Sequence, residues 1–316
     1  MKGLDIFCGG GGSSAGARTA GVELVGAVDM CPVATDTYRD NFPKAHVETG
    51  RLENIKPSDV RKRVGSIDIL LASPECTNHT PAKGSAPRCE ISRATAMHAV
   101  EYAREFRPRW LVLENVVHMR PWSRFGELKM ELKALGYHLE EQVLDASDFG
   151  VAQSRKRLFL VGDRKQKPGL VTHRRPGPRK SVKAILDKPG TWETTPLRRE
   201  GRAADTLARA DRAIAELGTE SPFLLVYYGT DGGGGWQRLT RPLRTITTVD
   251  RFALVEPLPD GHRMRMLQVP ELRRAMGFDS SYRMEVGTRR DRVRMLGNGV
   301  CPPVMAEVVQ ALIAGE

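Results

Sequence analysis

Over its first 160 or so residues the chain alternates short apolar runs with segments of helical period, and few architectures accept that pattern. Residues 4–7 read as a strand, followed by glycines and a helix over 14–20. A second strand at 24–28 leads through Asp29 to a helix at 32–41 that proline opens. Strands at 67–72 and 110–113 flank a helix at 94–106, and a helix at 124–135 precedes closing strands at 139–144 and 158–161. Strand and helix in alternation define an α/β fold with a doubly wound, mostly parallel sheet. Such sheets bind ligands beyond the carboxyl ends of their strands, so the residues just past each apolar run are the functional candidates.

The texture changes after residue 165. From 164 to 183 there are eight Lys/Arg and no Asp or Glu, interspersed with Pro168, Pro176 and Pro178. This run reads either as a solvated loop or as a segment lying against phosphates. Asp231 and the glycines at 232–235 mark a turn, and 243–255 is Thr-rich with a strand-like pattern. After Gly297-Asn298-Gly299 the chain is apolar and helical again. The division expected is a catalytic domain of 1–165 and 289–316, interrupted by a smaller domain over 166–288. An excess of 49 Lys+Arg over 38 Asp+Glu gives a charge of +11, which predicts attraction to polyanions. The five cysteines are scattered without a C-x-x-C pair, which argues against a disulfide framework and against a metal site, and fits a reducing cytosol. Neither a signal peptide nor an apolar run of membrane-spanning length is expected, so the reading is a cytoplasmic protein with no membrane partner.

Four stretches at strand ends could carry chemistry. The first strand runs into Phe7-Cys8-Gly9-Gly10-Gly11-Gly12-Ser13-Ser14, where glycines let backbone pass close under a ligand facing a helix N-terminus. Gly10-x-Gly12-x-x-Ala15 fits the dinucleotide fingerprint, with Asp29 at the distance of a ribose-binding acid. That signal is shared by nicotinamide enzymes and by methyltransferases. The strand at 67–72 runs into a loop carrying Cys76, either a nucleophile or an ordinary buried thiol. Glu114-Asn115-Val116 places an acid at a strand end, a candidate proton donor or a cap for the next helix. Gln153-x-Arg155-x-Arg157 sets two arginines on one face of a strand, suited to an anionic group, a polarised carbonyl, or solvent.

Together these residues resemble the DNA cytosine carbon-5 methyltransferases, from residue 3 to the C-terminus except for about 167–223. Asp5-x-Phe7-x-Gly9-x-Gly11-Gly12 is similar to the family's cofactor loop, and Cys76 keeps the spacing from Asp68 to its nucleophile. Glu-Asn-Val at 114–116 and Gln-x-Arg-x-Arg at 153–157 match two further signatures. Arg265-x-Leu267 with Glu271 and Met276-Gly277 resembles the ninth motif, and Gly297-Asn298-x-Val300 the tenth. The resemblance implies a Rossmann-like methyltransferase domain with an inserted target-recognition domain, acting as a monomer on double-stranded DNA. By the same resemblance S-adenosylmethionine sits against Phe7, Gly9, Gly11, Asp29 and Asn298. Cys76 attacks carbon 6 of a flipped cytosine, Glu114 serves ring nitrogen 3, and Arg155 and Arg157 hold the base carbonyl and phosphates. Residues 77–93 form the loop that closes over the base.

The chain departs from the family pattern in two places, around the nucleophile and at Arg51. Glu75 stands where proline usually precedes the nucleophile, with Thr77 after it in place of glutamine, and Arg51 stands where an aspartate commonly reads adenine. An ionised Glu75 beside the thiol would depress its thiolate fraction, so Glu75 is expected to point away or to pair with a cation. Three rival readings stay open on sequence: the same chemistry on tRNA, a nicotinamide oxidoreductase, and a catalytically silent DNA-binding protein.

Overall fold

The long apolar runs become the middle of a sheet. A computed structural model describes residues 1–75, 90–172, 177–228 and 234–314. Its first half contains β1 (Lys2–Ile6), α1 (Gly12–Thr19), β2 (Glu23–Asp29), α2 (Pro32–Asn41), β3 (His46–Thr49) and α3 (Pro57–Val64). Then come β4 (Ile69–Ala72), α4 (Glu90–Ala94), α5 (His98–Phe106), β5 (Trp110–Asn115), α6 (Phe125–Ala134), β6 (His138–Asp145) and β7 (Lys156–Asp163). Among the described residues these strands form one sheet in the order β3-β2-β1-β4-β5-β7-β6. Every residue of β4 and β5 is buried. Helices cover both faces of the sheet there, which is why these strands read as unbroken apolar runs.

The sheet is parallel except at one edge, where β7 runs antiparallel to both β5 and β6. A short connection joins β6 to β7, and strands joined that way pair antiparallel. Two elements lie outside the expectation from sequence. β3 has three half-buried residues and one exposed, and α3 buries only Val60, so neither carries a clear apolar period. The expected helix at 94–106 is interrupted by a 3-10 turn at Thr95–Met97.

The second half adds β8 (Thr195–Pro196), α7 (Ala204–Leu217), β9 (Phe223–Val226), β10 (Trp236–Arg238), β11 (Phe252–Leu258) and β12 (Gly261–Met266). These strands form a separate antiparallel sheet, β10-β9-β11-β12-β8. It has its own apolar centre around Phe223, Leu225, Val255 and Met264, on which Leu207 and Ile214 of α7 pack. The Thr-rich stretch is a strand only from Phe252. Upstream, Leu243 bridges instead to Gln153, and its amide and carbonyl bond to Ala152 and Ser154 in the connection from β6 to β7.

The chain closes with α8 (Val269–Ala275), α9 (Arg289–Asn298) and α10 (Pro302–Ile313), whose buried residues pack in the same core as α1. By length and a mean hydropathy of 1.2 alone, Arg289–Ile313 could cross a membrane, against the expectation from sequence. In the fold 61% of that apolar window is buried. Gly16 of α1 lies so close to α10 that a Cβ there would run into the Pro302 carbonyl. The basic run is partly tied down: Lys167 pairs with Glu140, Arg179 with Asp148, and Gly169 passes directly over the Ala311 carbonyl.

Candidate active site

β1, β2 and β4 end side by side, and the loops leaving them wall a cavity of about 480 Å³. Its floor is the turn after β1, where Phe7 and Gly9 both adopt positive φ, 57° and 50°. A non-glycine residue in that conformation is strained and is held by its surroundings, here a turn hugging the cavity. A Cβ on Gly9 would meet nothing within 4 Å, because that side faces the open cavity. Gly12 opens α1, and a Cβ on it would collide with the Val300 carbonyl of the loop after α9. Glycine thus brings the helix N-terminus and that loop to one wall.

Asp29, at the end of β2, holds this floor in place. Its carboxylate accepts from the Gly9 amide at 2.9 Å and the Cys31 amide at 2.8 Å. Burial raises its pKa, while those amide bonds and that of Met30 oppose the shift. Phe7, Gly9, Asp29 and Asn298 all line the cavity as the sequence suggests. Gly11 does not: it caps α1 in the left-handed conformation, packed against Tyr282 and Phe42. An open glycine floor, a fixed acid and a helix N-terminus suit a nucleoside-bearing ligand.

The adjoining part of the site is built at the ends of β4 and β5. Ser73, Pro74 and Glu75 leave β4 along the cavity wall. Asn115 Nδ2 donates to the Pro74 carbonyl at 3.1 Å, so the Glu-Asn-Val stretch anchors the root of the loop that carries residue 76. Cys76 and residues 77–89 lie outside the described residues, as does the expected closing loop's greater part. Glu75 lines the cavity, and its Oε2 accepts from the Ser92 hydroxyl at 2.6 Å. Among the described residues no cation pairs with it, and its direction relative to the Cys76 thiol, the other half of the expectation, falls outside the described residues. Glu114, buried beside Asn115, meets Arg157 Nε at 3.1 Å. Burial pushes the Glu114 carboxyl above its ordinary pKa, while the Arg157 and Arg155 guanidiniums pull it down.

Arg155 is directed elsewhere. Its terminal nitrogens donate to the carbonyls of Ile246, Gly297 and Gly299 at 2.7–2.9 Å. Gln153, also fully buried, accepts from the Ile246 amide and donates to the Ala275 carbonyl. The Gln-x-Arg-x-Arg stretch therefore ties the sheet, the strand-like segment 243–249 and the loop after α9 together. Thr248, Asp291 and Arg294 also reach the cavity wall, and nothing in their local sequence signals it. Asp291 and Arg294 arrive on α9, and Thr248 in the segment before β11.

Residues 1–314 match the family described as C-5 cytosine-specific DNA methylase, and the chain belongs to that family. It is similar to the Type II methyltransferase M.AgeI of Thalassovita gelatinovora, 31% identical over 169 residues that cover 51% of this chain and 39% of that protein. Type II methyltransferase M.XorII of Xanthomonas oryzae pv. oryzae is 32% identical over 175 residues, 52% of this chain and 41% of that protein. These matches thus take in less than half of each relative. Among solved structures, Entamoeba histolytica methyltransferase EhMeth superposes with a TM-score of 0.73 at 15% identity, covering 100% of this chain and 98% of that one. S. pombe Dnmt2 methyltransferase gives 0.71 at 18% identity with the same coverage. At such identities the likeness is one of fold, a seven-stranded mostly parallel sheet flanked by helices.

Proposed function

We propose that this protein transfers a methyl group from S-adenosylmethionine to carbon 5 of cytosine in double-stranded DNA. The observation that carries the reading is the buried Glu114–Arg157 pair at the end of β5, next to the anchored root of the Cys76 loop and beside the glycine-floored cavity. Bound in that cavity, S-adenosylmethionine would supply an electrophilic methyl on a positively charged sulfur. Gly9 gives it backbone clearance, Asp29 suits the ribose hydroxyls, and Asn298 closes the side formed by the loop after α9.

Cytosine carbon 5 is a poor nucleophile until the ring is activated. Addition of the Cys76 thiolate to carbon 6 pushes the ring electrons toward carbon 5 and nitrogen 3. Glu114, whose carboxyl burial holds above its ordinary pKa and so more ready to carry a proton than in water, serves nitrogen 3 as proton donor and keeps negative charge from accumulating. Arg157 fixes the orientation of that carboxyl. After carbon 5 has taken the methyl, its proton passes to water, the thiolate is expelled, and nitrogen 3 returns its proton to Glu114 as the aromatic ring is restored. Arg155, bonded to three main-chain carbonyls, acts by positioning, and the base contact suggested from sequence falls to Arg157. The target base has to leave the duplex to reach this site. We assign target recognition to the small antiparallel sheet and its flanking basic residues, and methylation of a specific sequence follows from base contacts made there.

Incubation with S-adenosylmethionine and duplex DNA carrying 5-fluorocytosine tests the mechanism. Fluorine cannot leave as a proton does, so a covalent complex surviving denaturation is expected with the wild type and none with Cys76→Ala. Methylation of ordinary DNA without any such trapped complex would overturn the covalent route.

A further inference from the structure

The chain carries a charge of +11, yet the cavity is lined by more acid than base. Asp29, Glu53, Glu75 and Asp291 face it against Arg51 and Arg294. Asp29 and Glu75 both line it, and the charge of Glu75 adds to the upward shift that burial gives the Asp29 pKa. The Ser92 hydroxyl donates to Glu75, and Asn115 holds the preceding Pro74. Glu75 thus lines the cavity with its carboxylate held by a built contact. It is also the residue where this chain departs from the sequence pattern around the nucleophile.

We infer that this acidic lining, Glu75 foremost, makes the cavity select the cationic methyl donor over its neutral demethylated product. The inference rests on the cavity being the S-adenosylmethionine site. Donor and product share the same ammonium and carboxylate, so they differ by the methyl group and by one positive charge at sulfur. A carboxylate on the wall stabilises the donor and gives the product nothing extra there. Arg51 and Arg294 are exposed and screened by solvent, which leaves the half-buried Glu75 with the greater influence. The consequence is weaker retention of product after each turnover.

Isothermal titration calorimetry of the full chain without DNA tests this, using S-adenosylmethionine, S-adenosylhomocysteine and sinefungin, which carries an amine in place of the methylsulfonium. Glu75→Gln is expected to lower the product-to-donor Kd ratio on the order of fivefold by weakening the two cationic ligands, with product affinity nearly unchanged. Glu75→Asp, which keeps the charge, should retain most of the wild-type ratio. If Glu75→Gln weakens all three ligands equally, or none, Glu75 does not discriminate by charge and the inference fails with the site assignment intact. If the wild type binds none of the three, the site assignment fails and takes the inference with it.

Discussion

Asp5 lies fully buried under the glycine loop, where one carboxylate oxygen accepts from the Ser14 hydroxyl at 2.7 Å. Among the described residues the other oxygen meets no hydrogen-bond donor. Burial raises its pKa to about 7, against a lowering bond from Ser14 and helped by the charge of Asp29. A carboxyl whose pKa is raised on folding favours the native state while both states are protonated, and that advantage is lost as pH climbs through the folded value. Between about pH 5.5 and 8 this one group should remove about 2 kcal/mol of stability, and Asp5→Asn should abolish that slope in denaturant melts at the two pH values. Glu114 follows the same sign in catalysis: methyl transfer at saturating substrates should fall as pH rises through its elevated pKa. Glu114→Gln should lower kcat by about 10²- to 10⁴-fold with little loss of donor binding, read by steady-state kinetics beside calorimetry. Glu114 and Asp29 were legible in the sequence because each ends a recognisable strand. The destination of Arg155 was not, since its acceptors are carbonyls 91 to 144 positions further along the chain.

Between elements, a buried polar joint links β12 to α8. Arg265 donates through both terminal nitrogens to Glu271 at 2.8 Å, and both side chains are buried. Glu271 also accepts from the Gln268 and Asp187 amides, so one carboxylate gathers the end of the small sheet, the start of α8 and the segment after the basic run. Removing either partner alone leaves a buried charge unpaired, and Glu271→Ala should cost about 3–5 kcal/mol in urea unfolding. Substituting both by apolar residues of similar volume should cost less than the sum of the single changes, a coupling that a double-mutant cycle measures directly. A resemblance to the ninth motif marks these residues in the sequence but does not reveal that they serve as a joint. The same limit appears at 243–255. Its pattern is strand-like, yet Leu243 pairs with Ala152 and Ser154, and a strand of the small sheet forms only from Phe252. Local pattern shows that a backbone is extended; which partner it finds depends on the packing of distant elements.

On the scale of the whole molecule, charge is divided by function. The positive excess that suits a polyanion lies outside an acid-lined cavity that suits a cation. In the basic run, Lys180 and Lys183 remain exposed while Lys167 and Arg179 are bound to acids of the large domain. Affinity for a DNA duplex should therefore fall steeply with salt, and Lys180→Ala with Lys183→Ala should flatten log Kd against log salt by about 0.9 for each phosphate no longer neutralised. An unchanged slope would assign DNA binding to other faces. The α/β class and the position of the cavity followed from strand–helix alternation, because buried parallel strands leave unbroken apolar runs. The extent of the small sheet did not, since β8 and β10 are two and three residues long and carry too little pattern to read.

Methylation of cytosine carbon 5 in DNA by way of Cys76 is the claim on which the rest depends. Bisulfite sequencing of plasmid DNA from methylation-free cells expressing the chain or its Cys76→Ala variant tests it most directly. The expected result is conversion-resistant cytosines within one short sequence context, present with the wild type and absent with the variant. Complete conversion in both, with folded protein recovered from the same cells, would contradict it.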